Sequence, residues 1–388
     1  MKKIVLTGFA LMASVCLFAQ SNESEVTQTG NNNNAYVNQV GHYNESIITQ
    51  NATNNFGSRT NEAVVDQEGD DNSSEISQSG NRQTSIVYQD GEDNGATNTQ
   101  TGDRQTSIID QDGDDNWANV SQSDSRNYST VLQDGDDNSA LVSQDGLRNE
   151  SSIWQEEDNN VAEVTQTGDD NSSVVEQDGP AALGGYNTAT VTQDGDDNIS
   201  GVYQDGNAAN HNEATVTQIG DDNNAYINQD GYAGISDNSA GIYQEGNNNE
   251  SSIIQGSFPL VGGGHYALVA QFGDDNSSEV TQTGGYHSAE VLQIGVGNQS
   301  IVVQSVSYNT AAVVQLGEGN ISSVEQGGGL LIGANNAEVW QEGNLNESSV
   351  LQDGLNNYAS VYQFTDGNFS DIQQFGNNNN AVVSQDGH

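Results

Sequence analysis

The sequence predicts an all-β fold, a two-sheet β-solenoid, and three observations support this prediction. A unit of 11 residues recurs along the chain, the residues of each unit alternate between two faces, and a further pattern repeats every 22 residues. A fixed period decides the architecture, because a single unit is too small to bury its apolar face except against its neighbours. We expect about 15 rungs of 22 residues, each built from two strands and two turns.

The unit is clearest in residues 85–122. Glutamine marks each copy, at Gln89, Gln100, Gln111 and Gln122, and the consensus is Q-x-G-x-x-N-x-[AS]-x-[VI]-x-Q. The composition, with 32% hydrophobic residues and a net charge of −48, resembles that of a disordered acidic chain. A disordered chain has no reason to keep glutamine in phase, so the repeat outweighs the composition.

The repeat continues over nearly the whole chain. Thirty-one glutamines in this position run from Gln28 to Gln385 without a change in composition. A repeat array can reach such a length as one unit, because each repeat contacts only its neighbours. We therefore expect a single repeat domain over residues 20–388.

Each unit is predicted to form one strand and one turn. Asn116, Ala118, Val120 and Gln122 alternate with the residues of the opposite face. A period of two with β-branched residues is typical of a strand. The Q-x-G-x-x-N segment supplies the turn, because glycine adopts backbone conformations that other residues resist.

Odd-numbered and even-numbered units differ, which predicts a rung of two units with a separate sheet for each type. The distinguishing residues are Arg82, Arg104, Arg126 and Arg148 in one type of turn, and the acidic residues of 90–94, 112–116 and 134–138 in the other. We expect the arginines to offset nearby carboxylates.

The inward-facing amides are predicted to form ladders along the solenoid axis. A buried amide is costly if it is unpaired, whereas here each one faces its copy on the next rung. A register slip of one residue would turn every glutamine outward. The predicted ladder residues include Gln89, Gln100, Gln111, Gln122, Gln133 and Gln144, with Asn94, Asn116, Asn138 and Asn160.

Insertions interrupt the period after six of the glutamines, and five of the six follow even-numbered units. These five inserts should leave from a single edge of the solenoid. Loop tips accept insertions easily, so tolerated loop growth and a binding surface are both open interpretations. Four of the inserts lie around Pro180–Tyr186, Asn207–His211, Tyr232–Ser236 and Phe258–Tyr266.

The outer faces of the two sheets are predicted to differ in polarity. Outward positions of the even units carry apolar residues such as Ile86, Leu132 and Trp154, whereas odd units place Glu75 and Thr97 outward. An exposed apolar stripe can mark lateral pairing or adhesion. The alternative is ordinary β-propensity on an exposed strand.

Residues 1–19 have the features of a secretory signal peptide. Lys2 and Lys3 precede an apolar segment, and Leu17-Phe18-Ala19 provides a small-residue cleavage site. The single cysteine, Cys16, leaves with this segment, so we expect no disulfide in the exported chain. We expect no further membrane span, and no nucleic-acid partner, since 55 acidic residues face only seven basic ones.

The unit resembles the curlin repeat of bacterial curli subunits, S-x5-Q-x-G-x-x-N-x-A-x3-Q. The second half of that motif is matched by Asn94-x-Ala96-x3-Gln100, Asn116-x-Ala118-x3-Gln122, Asn138-x-Ala140-x3-Gln144 and Asn160-x-Ala162-x3-Gln166. The chain departs from the motif where Gln105, Asn127, Asn149 and Asn171 replace its serine. It also has many more repeats than familiar curlin subunits, and no Gly-rich secretion-targeting segment is evident before the first unit.

The resemblance implies a structural protein that forms extracellular functional amyloid. Such subunits leave the cell unfolded through an outer-membrane secretion pore, polymerise with the help of a nucleator, and form biofilm fibres that adhere to surfaces. We therefore expect a homopolymeric fibre at the cell surface.

Catalysis finds no support in the sequence, and we expect the protein not to be an enzyme. The histidines are His42, His211, His265, His287 and His388. No nucleophile–base pairing recurs with them. We expect them to be solvated loop residues.

The acidic turns allow two interpretations. In the first they are gatekeepers, whose charge slows premature aggregation during export. The gatekeeper positions are Asp90, Asp93, Asp112, Asp115, Asp134 and Asp137. In the second they bind Ca²⁺, which prefers hard oxygen ligands, although the spacing matches neither known calcium-loop motif. The calcium candidates are Asp112, Asp114, Asp115, Asp134, Asp136 and Asp137.

The second interpretation leads to an alternative function, a monomeric calcium-binding β-solenoid adhesin. We expect no cofactor other than this calcium. The two functions differ in whether the folded chain stays monomeric and whether it needs calcium.

Overall fold

A computed structural model describes residues 21–387, apart from 53–59, 179–185, 207–210, 232–236, 258–263 and 329–333. The predicted signal peptide lies outside the described residues, as do His388 and most of the residues of the inserts. The described chain forms 31 β-strands, one for each predicted unit. None of its elements is a helix long and apolar enough to cross a membrane.

The strands form two parallel sheets, which confirms the predicted two-sheet β-solenoid of about 15 rungs. We call them the odd sheet and the even sheet after the numbers of their strands. The odd sheet contains β1 (Glu23–Thr29), β3 (Glu45–Ala52), β5 (Ser73–Asn81), β7 (Gly95–Asp103), β9 (Trp117–Ser125), β11 (Ser139–Leu147), β13 (Val161–Thr167), β15 (Tyr186–Asp194), β17 (His211–Ile219), β19 (Ser239–Glu245), β21 (Tyr266–Phe272), β23 (Ser288–Val296), β25 (Thr310–Glu318), β27 (Asn336–Glu342), β29 (Tyr358–Gln363) and β31 (Asn380–Gln385).

The even sheet contains β2 (Asn33–Val40), β4 (Asn61–Asp70), β6 (Thr84–Glu92), β8 (Thr106–Asp112), β10 (Tyr128–Asp134), β12 (Glu150–Glu156), β14 (Ser172–Asp178), β16 (Ile199–Gly206), β18 (Asn224–Gly231), β20 (Glu250–Ser257), β22 (Ser277–Gly285), β24 (Gln299–Ser307), β26 (Ile321–Gly327), β28 (Glu347–Asp353) and β30 (Phe369–Phe375). Stacking 16 strands at ~4.8 Å gives a rod of roughly 70 Å.

Every strand pair is in register, with glutamine opposite glutamine. In β8 and β10, for example, Ile109 pairs with Val131 and Gln111 pairs with Gln133. The register follows from the sequence, because a slip of one residue would move the apolar residues of a strand to its outer face.

The core is a thin layer of small and β-branched side chains between the sheets. Ala118 and Val120 on β9 are fully buried, and the equivalent positions of the other interior rungs are buried in the same way. One rung alone buries too little apolar surface to be stable, so stability depends on the stack.

In most units a glycine stands two residues after the glutamine, where successive turns come closest together. Gly113 has a φ of 117°, and a Cβ atom at this position would lie 2.2 Å from the carbonyl oxygen of Gly135 in the next rung. The residue two positions further on, here Asp115 with a φ of 57°, adopts the left-handed conformation. Glycine fits this position in both backbone conformation and close stacking, whereas Asp124, Glu157 and Val306 occupy it in other turns with a smaller φ of 64° to 80°.

The turns lie along two edges, which we call the odd edge and the even edge after the strands that they follow. Five inserts follow β14, β16, β18, β20 and β26, which all belong to the even sheet. These inserts therefore start at the even edge. The remaining insert follows β3 and starts at the odd edge.

Candidate functional site: amide ladders and the acidic edge

Two unbroken ladders of glutamine amides run along the inside of the solenoid, one in each sheet. In the even sheet, Nε2 of Gln111 donates to Oε1 of Gln133 at 2.8 Å, and Gln133 donates to Gln155 at 2.8 Å. In the odd sheet, Gln100 donates to Gln122 at 2.9 Å. The ladders reach from Gln28 to Gln385 and from Gln39 to Gln374.

The second N–H of each glutamine amide links the two sheets. Nε2 of Gln111 also donates to the backbone oxygen of Gly95, the first residue of β7 in the opposite sheet, at 3.2 Å. Both donors and the acceptor of an interior glutamine are thus used, and the desolvation of the buried amide is compensated. All of these bonds run in the same direction, from each glutamine to the next one along the chain.

From Asn94 to Asn160, the asparagine column at the even edge is bonded differently from the expected amide-to-amide ladder. The backbone N–H of Asn116 donates to Oδ1 of Asn94 at 3.0 Å, while Nδ2 of Asn116 donates to the oxygen of Gly135 at 2.6 Å. Asn138 and Asn160 repeat the first of these bonds. Asparagine therefore fixes the turn of one rung to the turn of the next.

Direct contacts between asparagine amides do occur in the column at the odd edge. There Nδ2 of Asn198 donates to Oδ1 of Asn171 at 3.0 Å. Two contacts of the same kind occur at the even edge, from Asn238 to Asn212 and from Asn379 to Asn357, so neither column keeps one bonding pattern throughout.

The aspartates of the even edge occupy three different environments. Asp90, Asp112 and Asp134, which directly follow glutamine, pair in register with one another. Burial and the charges of Asp134 and Asp90 raise the pKa of Asp112. This carboxylate column also includes Glu68, Glu156, Asp178, Asp205 and Asp230.

The other turn aspartates either accept hydrogen bonds from backbone N–H groups or occupy the left-handed position of the turn. Oδ1 of Asp114 accepts the N–H of Glu92 at 2.8 Å, and Oδ1 of Asp136 accepts the N–H of Asp114 at 2.8 Å. Asp93, Asp115 and Asp137 occupy the left-handed position of the turn, with φ between 57° and 59°. Aspartate tolerates this conformation better than most residues.

The structure does not gather the six calcium candidates into a coordination site. Among the residues that the structure describes, no group of three or more His, Cys, Asp or Glu side chains is placed to hold a metal ion. The aspartates follow the repeat along the edge, so neighbouring copies are one rung apart.

The arginines also occupy the left-handed position of their turns, with φ between 59° and 64°. Arg148 forms an ion pair with Asp170 on the next rung. The guanidinium of Arg148 lowers the pKa of the Asp170 carboxyl group, chiefly through a hydrogen bond.

Two of the histidines correct the sequence-based expectation. His42 and His211 are partly exposed, beside Asp70 and Asp237 respectively. His265 and His287 are instead buried, with 1% and 2% of their surface exposed. Each lies six residues before a ladder glutamine, where the repeat has asparagine, and this spacing would have revealed them.

The polarity of the outer faces also needs a correction. The prediction that the even face is the more apolar holds only for the first half of the rod. Position −1 from glutamine on the odd strands carries Thr or Ser up to β17, but Tyr243, Leu292, Val314, Trp340 and Tyr362 occupy it further on. The apolar outer surface therefore includes the second half of the odd face.

Comparison with known protein families gives a match to the curlin associated repeat. The match recurs six times along the chain, at residues 20–51, 59–80, 113–146, 208–231, 261–284 and 354–387. A comparison with curated proteins finds no significant match.

Proposed function

Because the chain is a member of the curlin repeat family, we propose that it is a secreted structural subunit that polymerises into curli-type amyloid fibres. The fibres lie outside the cell, form part of a biofilm matrix and hold cells to surfaces. In this proposal the protein acts as a scaffold and not as an enzyme.

One observation carries the proposal: the in-register glutamine ladders extend to the outermost described strands, whose edges are open. Among the described strands, β1 pairs only with β3, and β31 pairs only with β29. On β31 the inward-facing Ala381 and Val383 are only partly buried, whereas their counterparts in interior rungs are fully covered. An open edge with an exposed apolar face favours the addition of another strand.

The direction of the ladders supports head-to-tail addition. Gln28 donates to Gln50, and among the described residues no ladder glutamine donates to the amide oxygen of Gln28. At the opposite end, Gln385 accepts from Gln363 and keeps an N–H of its amide beyond the one that it donates to Phe369. A second copy in the same orientation offers acceptors where the first offers donors.

The carboxylate column supports control of assembly by charge. Unit charges at the inter-rung distance repel by roughly 1 kcal/mol per pair in water. Stacking at neutral pH therefore acts against this repulsion, which suits a subunit that must stay unassembled until export. From the family we propose an outer-membrane secretion pore and a nucleator as partners.

The proposal is tested with the mature chain from Gln20, purified in denaturant and diluted to low micromolar concentration. Thioflavin fluorescence, electron microscopy and fibre diffraction would follow the product, with and without calcium. We expect seeded fibres with a reflection near 4.7–4.8 Å, in the presence of a chelator as well. A soluble monomer that folds only with calcium would overturn the proposal and support the calcium-binding adhesin.

A further inference from the structure

His265 and His287 occupy neighbouring rungs of the asparagine column at the even edge. Their rings are stacked, with centroids 5.2 Å apart and planes 9° from parallel. Asn238 precedes them in the column and Asn309 follows them. The other positions of this column are asparagines, whose side chains do not titrate.

Each histidine takes over the acceptor role of the asparagine that it replaces, whereas only His287 also has a partner for Nε2, and Nε2 of His265 is buried without one among the described residues. The backbone N–H of His287 points at Nδ1 of His265 at 3.4 Å, and the N–H of Asn309 donates to Nδ1 of His287 at 3.2 Å. Nε2 of His287 lies 3.1 Å from the backbone oxygen of Thr283. These contacts require a neutral ring with its proton on Nε2.

Protonation of Nδ1 would place one N–H against another. A buried imidazolium would also lose its hydration, and two of them would face each other at stacking distance. Asparagine at the same positions is not protonated in acid, so it keeps its acceptor and stays uncharged. The two rungs therefore differ from all others of the column in how they respond to acid.

The surroundings of the pair offer no compensating charge. Burial, together with His287, lowers the pKa of His265 to about 4, and burial lowers the pKa of His287 to about 4. The titratable side chains on the strands and turns packed around the pair are at least partly exposed. They are Tyr243 and Glu245 on β19, Glu250 on β20, Tyr266 on β21, Glu279 on β22, Glu290 on β23, and Asp237, Tyr286 and Tyr308 in the turns.

We propose that the His265–His287 pair is a pH-sensitive seam, at which the solenoid opens on acidification before its other rungs do. The seam belongs to the fold of a single chain, so it does not depend on fibre formation. Its two histidines lie between β20 and β21 and between β22 and β23, and its opening would separate the rungs before it from the rungs after it.

The direction of the effect follows from the two states of the histidines. Both rings have a pKa of about 4 in the folded chain and of 6.5 in the reference state. The unfolded chain therefore binds more protons between these values. Stability from the neutral pair is fully present above pH ~6.5 and is lost as the pH falls towards ~4.

The experiment compares the full chain with the double variant His265→Asn/His287→Asn, which restores the repeat. The double variant His42→Asn/His211→Asn removes two exposed histidines and serves as the matched control. Hydrogen–deuterium exchange, corrected for intrinsic rates, would be measured at pH 7 and pH 4.5 in peptides from residues 264–296 and from residues 117–147.

The quantity compared is the corrected exchange rate of the 264–296 peptides divided by that of the 117–147 peptides. In the unmodified chain and in the control, we expect this ratio to be at least tenfold higher at pH 4.5 than at pH 7. The His265→Asn/His287→Asn variant should lose this difference. Equal protection of the two regions at pH 4.5, or the same local opening in the restored variant, would overturn the proposal. The exchange of these peptides can be measured in the monomer and in the fibre alike. A chain that does not polymerise would therefore contradict the proposed function without affecting this test.

Discussion

Nδ2 of Asn98 donates to Oγ of Ser85 at 2.6 Å, across the core and between the two sheets. The residue two positions before each of the other thirty glutamines is Val or Ile. Asn98 is fully buried, and its Oδ1 has no hydrogen-bond partner among the described residues. This rung therefore carries an amide that is only half satisfied in the middle of an apolar layer.

Replacing Asn98 by valine should stabilise the solenoid. The substitution removes a buried, unpaired oxygen, and we expect it to raise the free energy of unfolding by about 1–3 kcal/mol. Ser85 would then resemble Ser107 and Ser129, whose buried hydroxyls also lack a partner. Denaturant unfolding measures the change.

Val120→Asn on the neighbouring rung is the matched variant. It creates the same defect in the same sheet, so it should lower stability by a similar amount. Equal or lower stability of Asn98→Val would contradict this account of the core.

The period in the sequence was enough to predict the number of strands, their pairing and their register. Each strand repeats the same inward face, and a stack of parallel strands is the arrangement in which Val120 and Gln122 both meet their copies. The partner of Asn98 could not be predicted this way. It depends on which position of the opposite sheet lies across the core, and a consensus does not contain that information.

The histidines and aspartates show a second limit of sequence reasoning. His265 follows an insert and therefore resembles a loop residue, although its distance of six residues from Gln271 places it at the asparagine position of the repeat. Asp112, Asp114 and Asp115 are nearly adjacent in sequence, but the turn points them in different directions. Their separate roles depend on backbone angles, such as the left-handed conformation of Asp115, which composition does not specify.

Gly113→Ala should destabilise the solenoid strongly. The new Cβ would lie 2.2 Å from the oxygen of Gly135, and the φ of 117° is unfavourable for alanine. We expect a loss of roughly 2–4 kcal/mol, the sum of backbone strain and a displaced turn. Gly95→Ala is the control, because its Cβ would meet only the Trp117 side chain at 3.3 Å. Similar denaturation midpoints for the two variants would show that close stacking of the turns is unimportant.

Gln133→Ala should interrupt the ladder of the even sheet. Gln111 loses its acceptor, and the oxygens of Gln155 and Trp117 each lose a donor. Because these groups are buried, we expect a loss of about 2–4 kcal/mol. Gln373→Ala on the exposed face of β30 should change stability by less than about 0.5 kcal/mol. The two variants would be compared by the denaturant concentration at which their assemblies dissolve. Equal concentrations would mean that the ladder makes no measurable contribution to stability.

Asp112→Asn should speed assembly at neutral pH and lose its effect in acid. Burial and the charges of Asp134 and Asp90 raise the pKa of Asp112 in the folded chain, so the charged form is disfavoured there. This penalty is fully present above the folded-state pKa, shrinks as the pH falls through it, and is gone below the ordinary value of 3.8, where the carboxyl group is neutral in both states. The gain at pH 7 is about 1 kcal/mol or less, since Asp112 is exposed to screening by solvent and salt.

Asp371→Asn is the control for Asp112→Asn, because Asp371 lies on the outer face of β30 opposite Ser349 rather than in a carboxylate column. Lag times from thioflavin fluorescence at pH 7 and pH 3 would compare both variants with the unmodified chain. We expect Asp112→Asn to shorten the lag severalfold at pH 7 only, and Asp371→Asn to have a much smaller effect. If both variants shorten the lag equally at pH 7, the net charge of −48 controls assembly and the column has no specific role.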